Sequence, residues 1–355
     1  MNAYYYADNE RQVKKSARSA VNLVALIALI STMAGIVFYA AVMLLEPLIV
    51  QLISSAVYDE SLGNDMYAKA FGESFVMSSE YNWFISVIST LLCSFLPFAV
   101  LSKKLLNMDF SQSAPLNGKV MKSFPFIYCA SLMMSGVASS VTGGIFSFLF
   151  PDSAEAAVAD TVSIYGSSES VFSLVLCFFA MCVVAPFAEE FIYRGVIFGF
   201  LRKFGFSFAA FASSLIFGLA HATASQIAYA FVFGLALCMI YEHTGNLKTS
   251  ILMHFINNLI GYVQAYILPL TGSENAQIIF ESVYNIFVGV FAVIGMFLMF
   301  SGKKRKDEAV QSDSGEGICR EEEINAPLSC VMCAGMVFVI LYSVFNILMG
   351  MVAYG

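Results

Sequence analysis

Long apolar stretches alternate with short polar ones along the whole chain. Nine apolar segments can be drawn, at residues 20–45, 83–101, 124–150, 171–200, 206–224, 226–242, 249–268, 282–301 and 327–351. The first holds 26 residues without a charge, and a helix needs about 20 to cross the hydrocarbon core of a bilayer. Each segment therefore reads as a membrane helix, and the fold class as all-α: a polytopic helix bundle of about nine transmembrane helices. The polar start (Asp8, Glu10, Arg11, Lys14, Lys15, Arg18) carries no cleavage signature, so the first segment reads as a retained helix rather than a signal peptide.

Basic residues orient the bundle, because cytoplasmic loops are enriched in Lys and Arg. With the N-terminus cytoplasmic and nine crossings, 17 of the 18 basic residues fall inside and only Lys69 falls outside. The topology this predicts is N-terminus in, C-terminus out. Composition agrees with a membrane protein: 59% of the 355 residues are hydrophobic and 12% charged, against about 25% charged in soluble domains, and the mean hydropathy is +0.77. A net charge of −7 with no basic patch outside the membrane flanks argues against a nucleic-acid partner. The implied partners are the lipid bilayer and whatever meets the protein there. Seven of the eight cysteines lie in apolar segments, where a thiol packs as a small hydrophobe, and Cys330-x-x-Cys333 reads the same way. Residues 302–326 are polar and charged, and read as a disordered cytoplasmic linker whose Lys303-Lys304-Arg305-Lys306 faces anionic head groups.

Few ionisable groups interrupt this pattern, and those that do are functional candidates. Pro186-Phe187-Ala188-Glu189-Glu190-Phe191-Ile192-Tyr193-Arg194-Gly195 closes the fourth segment. Glu190 and Arg194 are four apart and can pair on one helix face, while Glu189 points about 100° away. Of three histidines, His243 lies in a polar turn, but His221 and His254 lie inside apolar segments, and Asn258 stands one turn after His254. Taken singly, each could snorkel or join helices through hydrogen bonds. Taken together, two carboxylates, two histidines and an amide are best satisfied by one another in a common cavity. A carboxylate and a histidine can deprotonate a water, and a histidine with an amide can stabilise an oxyanion. No GxSxG nucleophile or HExxH zinc helix is present.

In order and spacing, Glu189-Glu190-x-x-x-Arg194, Phe217-x-x-x-His221 and His254-x-x-x-Asn258 resemble the three motifs of the CPBP family. That family groups type II CAAX prenyl endopeptidases with bacteriocin-processing and immunity proteins, also called Abi. Tyr193-Arg194-Gly195 and Tyr241-Glu242-His243-Thr244-Gly245-Asn246-Leu247 resemble its flanking text, and the likeness covers roughly Val171 to Tyr262. The resemblance implies an intramembrane endopeptidase acting on a peptide or membrane-anchored protein, in a bacterial cytoplasmic membrane. It implies Glu189 as general base, His221 holding the attacking water, His254 and Asn258 as the oxyanion pocket, and Glu190, Arg194 and Phe217 as supports. It divides the chain into an N-terminal membrane region (1–170), a CPBP-like core (171–301), the linker (302–326) and a C-terminal helix (327–355). The family's frequent description as metalloproteases adds an alternative, Zn2+ held by Glu189, His221 and His254; the metal-free reading is preferred because Asn258 suits an oxyanion donor better than a zinc ligand. The rivals are a catalytically silent membrane scaffold and a proton- or metal-coupled transporter.

One count conflicts with straight, upright helices. His254 lies six residues past Lys248, ~9 Å deep, while His221 lies eighteen past Lys203, ~27 Å deep. The fifth segment is therefore expected to tilt, begin in the cytosol or stop short of a full crossing.

Overall fold

The computed structural model describes residues 2–57, 72–76, 78–106, 118–151, 170–221, 223–312 and 325–354. Every described element is helical, and nine main helices match the nine apolar segments. They are α1 (Asn2–Val57), α2 (79–105), α3 (Gly118–Leu149), α4 (171–204), α5 (Phe206–Leu219), α6 (Ala224–Thr244), α7 (Leu247–Tyr262, with its irregular end reaching 271), α8 (Glu274–Ser312) and α9 (Ala334–Tyr354). Among the described residues, seven of them are long and apolar enough to cross a membrane. Large apolar side chains stand outward along them, Leu44 at 81% and Phe148 at 85% exposure. A lipid surround explains this pattern, because in lipid an outward Leu carries no hydrophobic cost.

Helix α5 is the short one. Its 14 residues rise about 21 Å at 1.5 Å each, short of the roughly 30 Å hydrocarbon core. It ends at Leu219 and packs along α6. Gly218 makes this close packing possible, since a Cβ there would lie 2.8 Å from the Ile227 carbonyl oxygen. Helix α8 runs on to Ser312, into the segment read as linker; residues 313–324 lie outside the described residues.

Three apolar clusters hold the helices together. The largest joins α1 (Val21, Val24, Ile27) to the second half of α4 (Val196, Ile197, Leu201), to α5 (Phe208, Ile216), and to Cys330, Cys333 and Met336 beside α9. A second joins α3, α6, α7 and α8 around Phe233, Leu237 and Met253. A third packs Trp83 of α2 and Tyr262 of α7 against Cys177 and Cys182 of α4. The described cysteines are free and buried, including Cys330 and Cys333.

Two prolines shape the bundle. Helix α2 widens into a π-helical turn at Thr90–Phe95 just before Pro97, and α4 does so at Phe179–Val184 just before Pro186. Proline has no N–H, so each leaves carbonyls of the preceding turn without their usual donor. In lipid such a group must find another partner. The Ser31 hydroxyl of α1 donates to the Cys93 carbonyl, and the Asn258 amide of α7 donates to the Met181 carbonyl at 2.8 Å.

Candidate functional site

The site forms where α4, α5, α6 and α7 meet. After Pro186, α4 is α-helical through Glu190 and then π-helical over Phe191–Phe198. Glu190 and Arg194 are both fully buried, and the Arg194 Nη1 donates to Glu190 Oε1 at 2.9 Å. The pairing read from the four-residue spacing is thus the one observed. Arg194 Nη2 also donates to the Gly234 carbonyl of α6 at 3.2 Å, and its guanidinium lies 4.4 Å over the Phe217 ring of α5. Gly234 permits this approach, because a Cβ there would come 3.1 Å from Nη2 and 3.0 Å from the Ser214 Cβ. A buried ion pair survives desolvation only with such added contacts.

Helix α7 begins after a tight turn. Gly245 takes a left-handed conformation (φ 60°) and closes α6, and the Asn246 side chain accepts from the Lys248 N–H at 2.9 Å. Thr244 and Thr249 hydroxyls bond across the turn at 2.7 Å. Nearby, Arg202 ties α4 to Glu242 of α6 through contacts of 2.9 and 2.6 Å. These bonds set the register of α7, and three residues one turn apart then face α4. His254 Nδ1 donates to Glu190 Oε1 at 2.9 Å, Asn258 reaches the Met181 carbonyl, and the Tyr262 hydroxyl reaches the Leu174 carbonyl at 3.0 Å.

Glu189 lies on the other side of His254. Its Oε2 is 3.7 Å from His254 Nε2 and its side chain is 33% exposed, whereas His254 is 5% exposed. That separation is too long for a direct hydrogen bond. So His254 stands between the two glutamates, one ion-paired and buried, one open.

Phe217 and His221 complete the wall. The Phe217 ring meets His221 edge-on at 5.1 Å and His254 at 5.8 Å, so both imidazoles share one aromatic surface. His221 Nδ1 faces the Phe217 carbonyl at 2.9 Å. Only a protonated nitrogen bonds a carbonyl, which leaves Nε2 as the acceptor in neutral His221. His243 bonds its own helix at the Met239 carbonyl and is exposed, as its turn position suggested.

The seven site residues singled out in the sequence lie on three adjoining helices: Glu189, Glu190 and Arg194 on α4, Phe217 on α5 with His221 two residues past its end, and His254 and Asn258 on α7. Missed were Gly234, whose carbonyl anchors Arg194, the π-turn carbonyl of Met181, and Tyr229, whose hydroxyl bonds Asn257 at 2.6 Å. Tyr262 could have been found by extending the four-residue step from His254 and Asn258. A catalytic zinc ion needs three protein donors around one point. Among the described residues no three of His, Cys, Asp and Glu gather in that way, so no step below is routed through a metal.

Residues 171–260 match the family described as type II CAAX prenyl endopeptidase Rce1-like. The Bacillus subtilis (strain 168) protein YdiL, named a candidate membrane peptidase, is 27% identical over 129 residues, 36% of this chain and 49% of that protein. The Staphylococcus aureus (strain USA300) membrane-embedded CAAX protease MroQ is 31% identical over 118 residues, 31% of this chain and 47% of that protein. The chain spans about half the length of these curated relatives. No solved structure matches it. The matched segment holds all three motifs and the seven residues named above, and over it this chain is similar to the Rce1-like CAAX endopeptidases.

Proposed function

We propose that the protein is an intramembrane endopeptidase that hydrolyses a peptide bond in a membrane-associated protein or peptide, using water activated by Glu189. The observation that carries this reading is the open Glu189 carboxylate 3.7 Å from a buried His254 Nε2, with Glu190 holding His254 from behind. A carboxylate alone in a membrane helix is costly, and its neighbours here are groups that handle protons rather than groups that neutralise it.

In this reading a water is held at Glu189 and His254, beside the Phe217 ring that also bears His221. Glu189 takes one of its protons as the oxygen bonds to the carbonyl carbon. The negative charge moves to the carbonyl oxygen, which accepts hydrogen bonds from Asn258 Nδ2 and from His254 carrying both ring protons. The C–N bond then breaks as Glu189 returns the proton to the leaving amine. Glu190 and Arg194 do not touch the reacting atoms. They fix the His254 ring through Nδ1, as second partners commonly do for a working imidazole.

The test compares membrane peptides from cells making the wild type with those making Glu189→Ala, at matched protein levels. Peptides with a new terminus only in the wild type support the reading. Identical peptide populations, with any phenotype of the gene kept by Glu189→Ala, would instead mark a binding scaffold.

A further inference from the structure

Asn258 does not meet Met181 alone. Its Oδ1 accepts from Asn257 Nδ2 at 3.1 Å, and Asn257 Oδ1 accepts from the Tyr229 hydroxyl of α6 at 2.6 Å. With the 2.8 Å bond from Asn258 Nδ2 to the Met181 carbonyl, this makes a continuous chain of three bonds from α6 through α7 to α4.

The direction of that chain is dictated from one end. A carbonyl can only accept. The Met181 carbonyl needs an outside donor because its α-helical donor, the Ala185 N–H, bonds Ala180 instead, and its π-helical donor would be Pro186. The nitrogen of Asn258 must therefore face α4 and its oxygen must face Asn257; Asn257 must then give its nitrogen to Asn258, which turns its own oxygen to the Tyr229 hydroxyl as acceptor. Flipping Asn258 would set two acceptors face to face at Met181 and two donors face to face at Asn257, and flipping Asn257 would set two acceptors face to face at Asn258. Asn258 Nδ2 has two hydrogens, and one is taken by Met181. The other is the single N–H that the side chain can offer the site, and its direction is set by the same chain.

We propose that Asn257 and Tyr229 are positioning residues: with the carbonyl that Pro186 leaves free, they lock the Asn258 amide in one orientation and aim its remaining N–H at the reacting carbonyl. This rests on the peptidase reading for the use of that N–H, but the lock itself does not. A merely structural role, joining α6 to α7, would cost stability without touching the chemical step.

Two measurements on the full-length protein in nanodiscs separate these outcomes. In 15N-asparagine-labelled protein, the Asn258 side-chain amide pair is identified by its loss in Asn258→Asp. It should be split and slow to exchange in the wild type, and should move to the averaged solvent position in Asn257→Leu; an unchanged pair in both Asn257→Leu and Tyr229→Phe overturns the lock. With a cleavable substrate, Asn257→Leu should lower kcat on the order of 10- to 100-fold with KM within about twofold, as for a misaligned catalytic group. Tyr229→Phe should lower kcat about fivefold, the worth of one buried hydrogen bond, and should add nothing in the Asn257→Leu background. Unchanged kcat in both variants, or losses that multiply in the double variant, would overturn the positioning role while leaving the peptidase reading in place; that reading fails separately, if Glu189→Ala still cleaves.

Discussion

Glu190→Gln probes the centre of the site at a single atom. Glu190 Oε1 accepts from both Arg194 Nη1 and His254 Nδ1, each at 2.9 Å, and its side chain has no solvent exposure. Glutamine keeps the shape and the acceptor oxygen but removes the charge, leaving Arg194 as a buried cation with no carboxylate paired to it, beside the Gly234 carbonyl and the Phe217 ring. Breaking one side of a buried pair costs roughly 3–5 kcal/mol, whereas replacing both sides by apolar groups of similar volume is often neutral or better. Glu190→Gln should therefore lower unfolding free energy by about 3–5 kcal/mol, and Glu190→Gln with Arg194→Met should recover most of it. The double variant should nonetheless cleave poorly, since His254 has lost its charged anchor. Unfolding in mixed micelles can be followed through Trp83, the chain's single tryptophan, which is 3% exposed. A Glu190→Gln protein within about 1 kcal/mol of wild type, the worth of an ordinary hydrogen bond, would refute the reasoning. A double variant less stable than the single one would refute it as well.

Three further outcomes follow from the same geometry. Gly205 joins α4 to α5 at φ 103°, ψ 149°, a conformation open essentially to glycine, so Gly205→Ala should cost about 1–3 kcal/mol in the same unfolding assay. Gly234→Ala should lower both stability and cleavage, because its Cβ would stand 3.1 Å from Arg194 Nη2 and 3.0 Å from the Ser214 Cβ; a crystal structure or Tm equal to wild type would count against that packing. Cleavage in proteoliposomes should persist after exhaustive chelation, and activity lost to a chelator and restored by Zn2+ would require Glu189, His221 and His254 to move together in the working state.

The sequence made the helices and part of the site legible for definite reasons. Apolar runs in lipid have one good way to satisfy their backbone, so α1–α9 could be placed from hydropathy. The four-residue spacing of Glu190 and Arg194, and of His254 and Asn258, put each pair on a common face, and both faces turn into the same interior. The mismatch in depth between His221 and His254 singled out the fifth segment, where α5 is a 14-residue helix packed along α6. What could not be read were contacts that depend on backbone carbonyls, because every residue has one and its availability depends on fold. Gly234 and Met181 are silent as letters. Pro186 was the one visible clue to the second, since a missing N–H announces a free acceptor in the turn before it. Nor did spacing say which glutamate His254 would meet; it meets both, through different ring nitrogens.

The most direct measurement is the turnover of a substrate from the peptide comparison by purified protein in proteoliposomes, wild type against Glu189→Gln. Removing the base that activates water should lower kcat by at least about 10²- to 10⁴-fold, with the protein's unfolding behaviour preserved because this side chain is 33% exposed and outside the buried ion pair. A Glu189→Gln protein that keeps a tenth or more of the wild-type kcat would contradict water activation at Glu189.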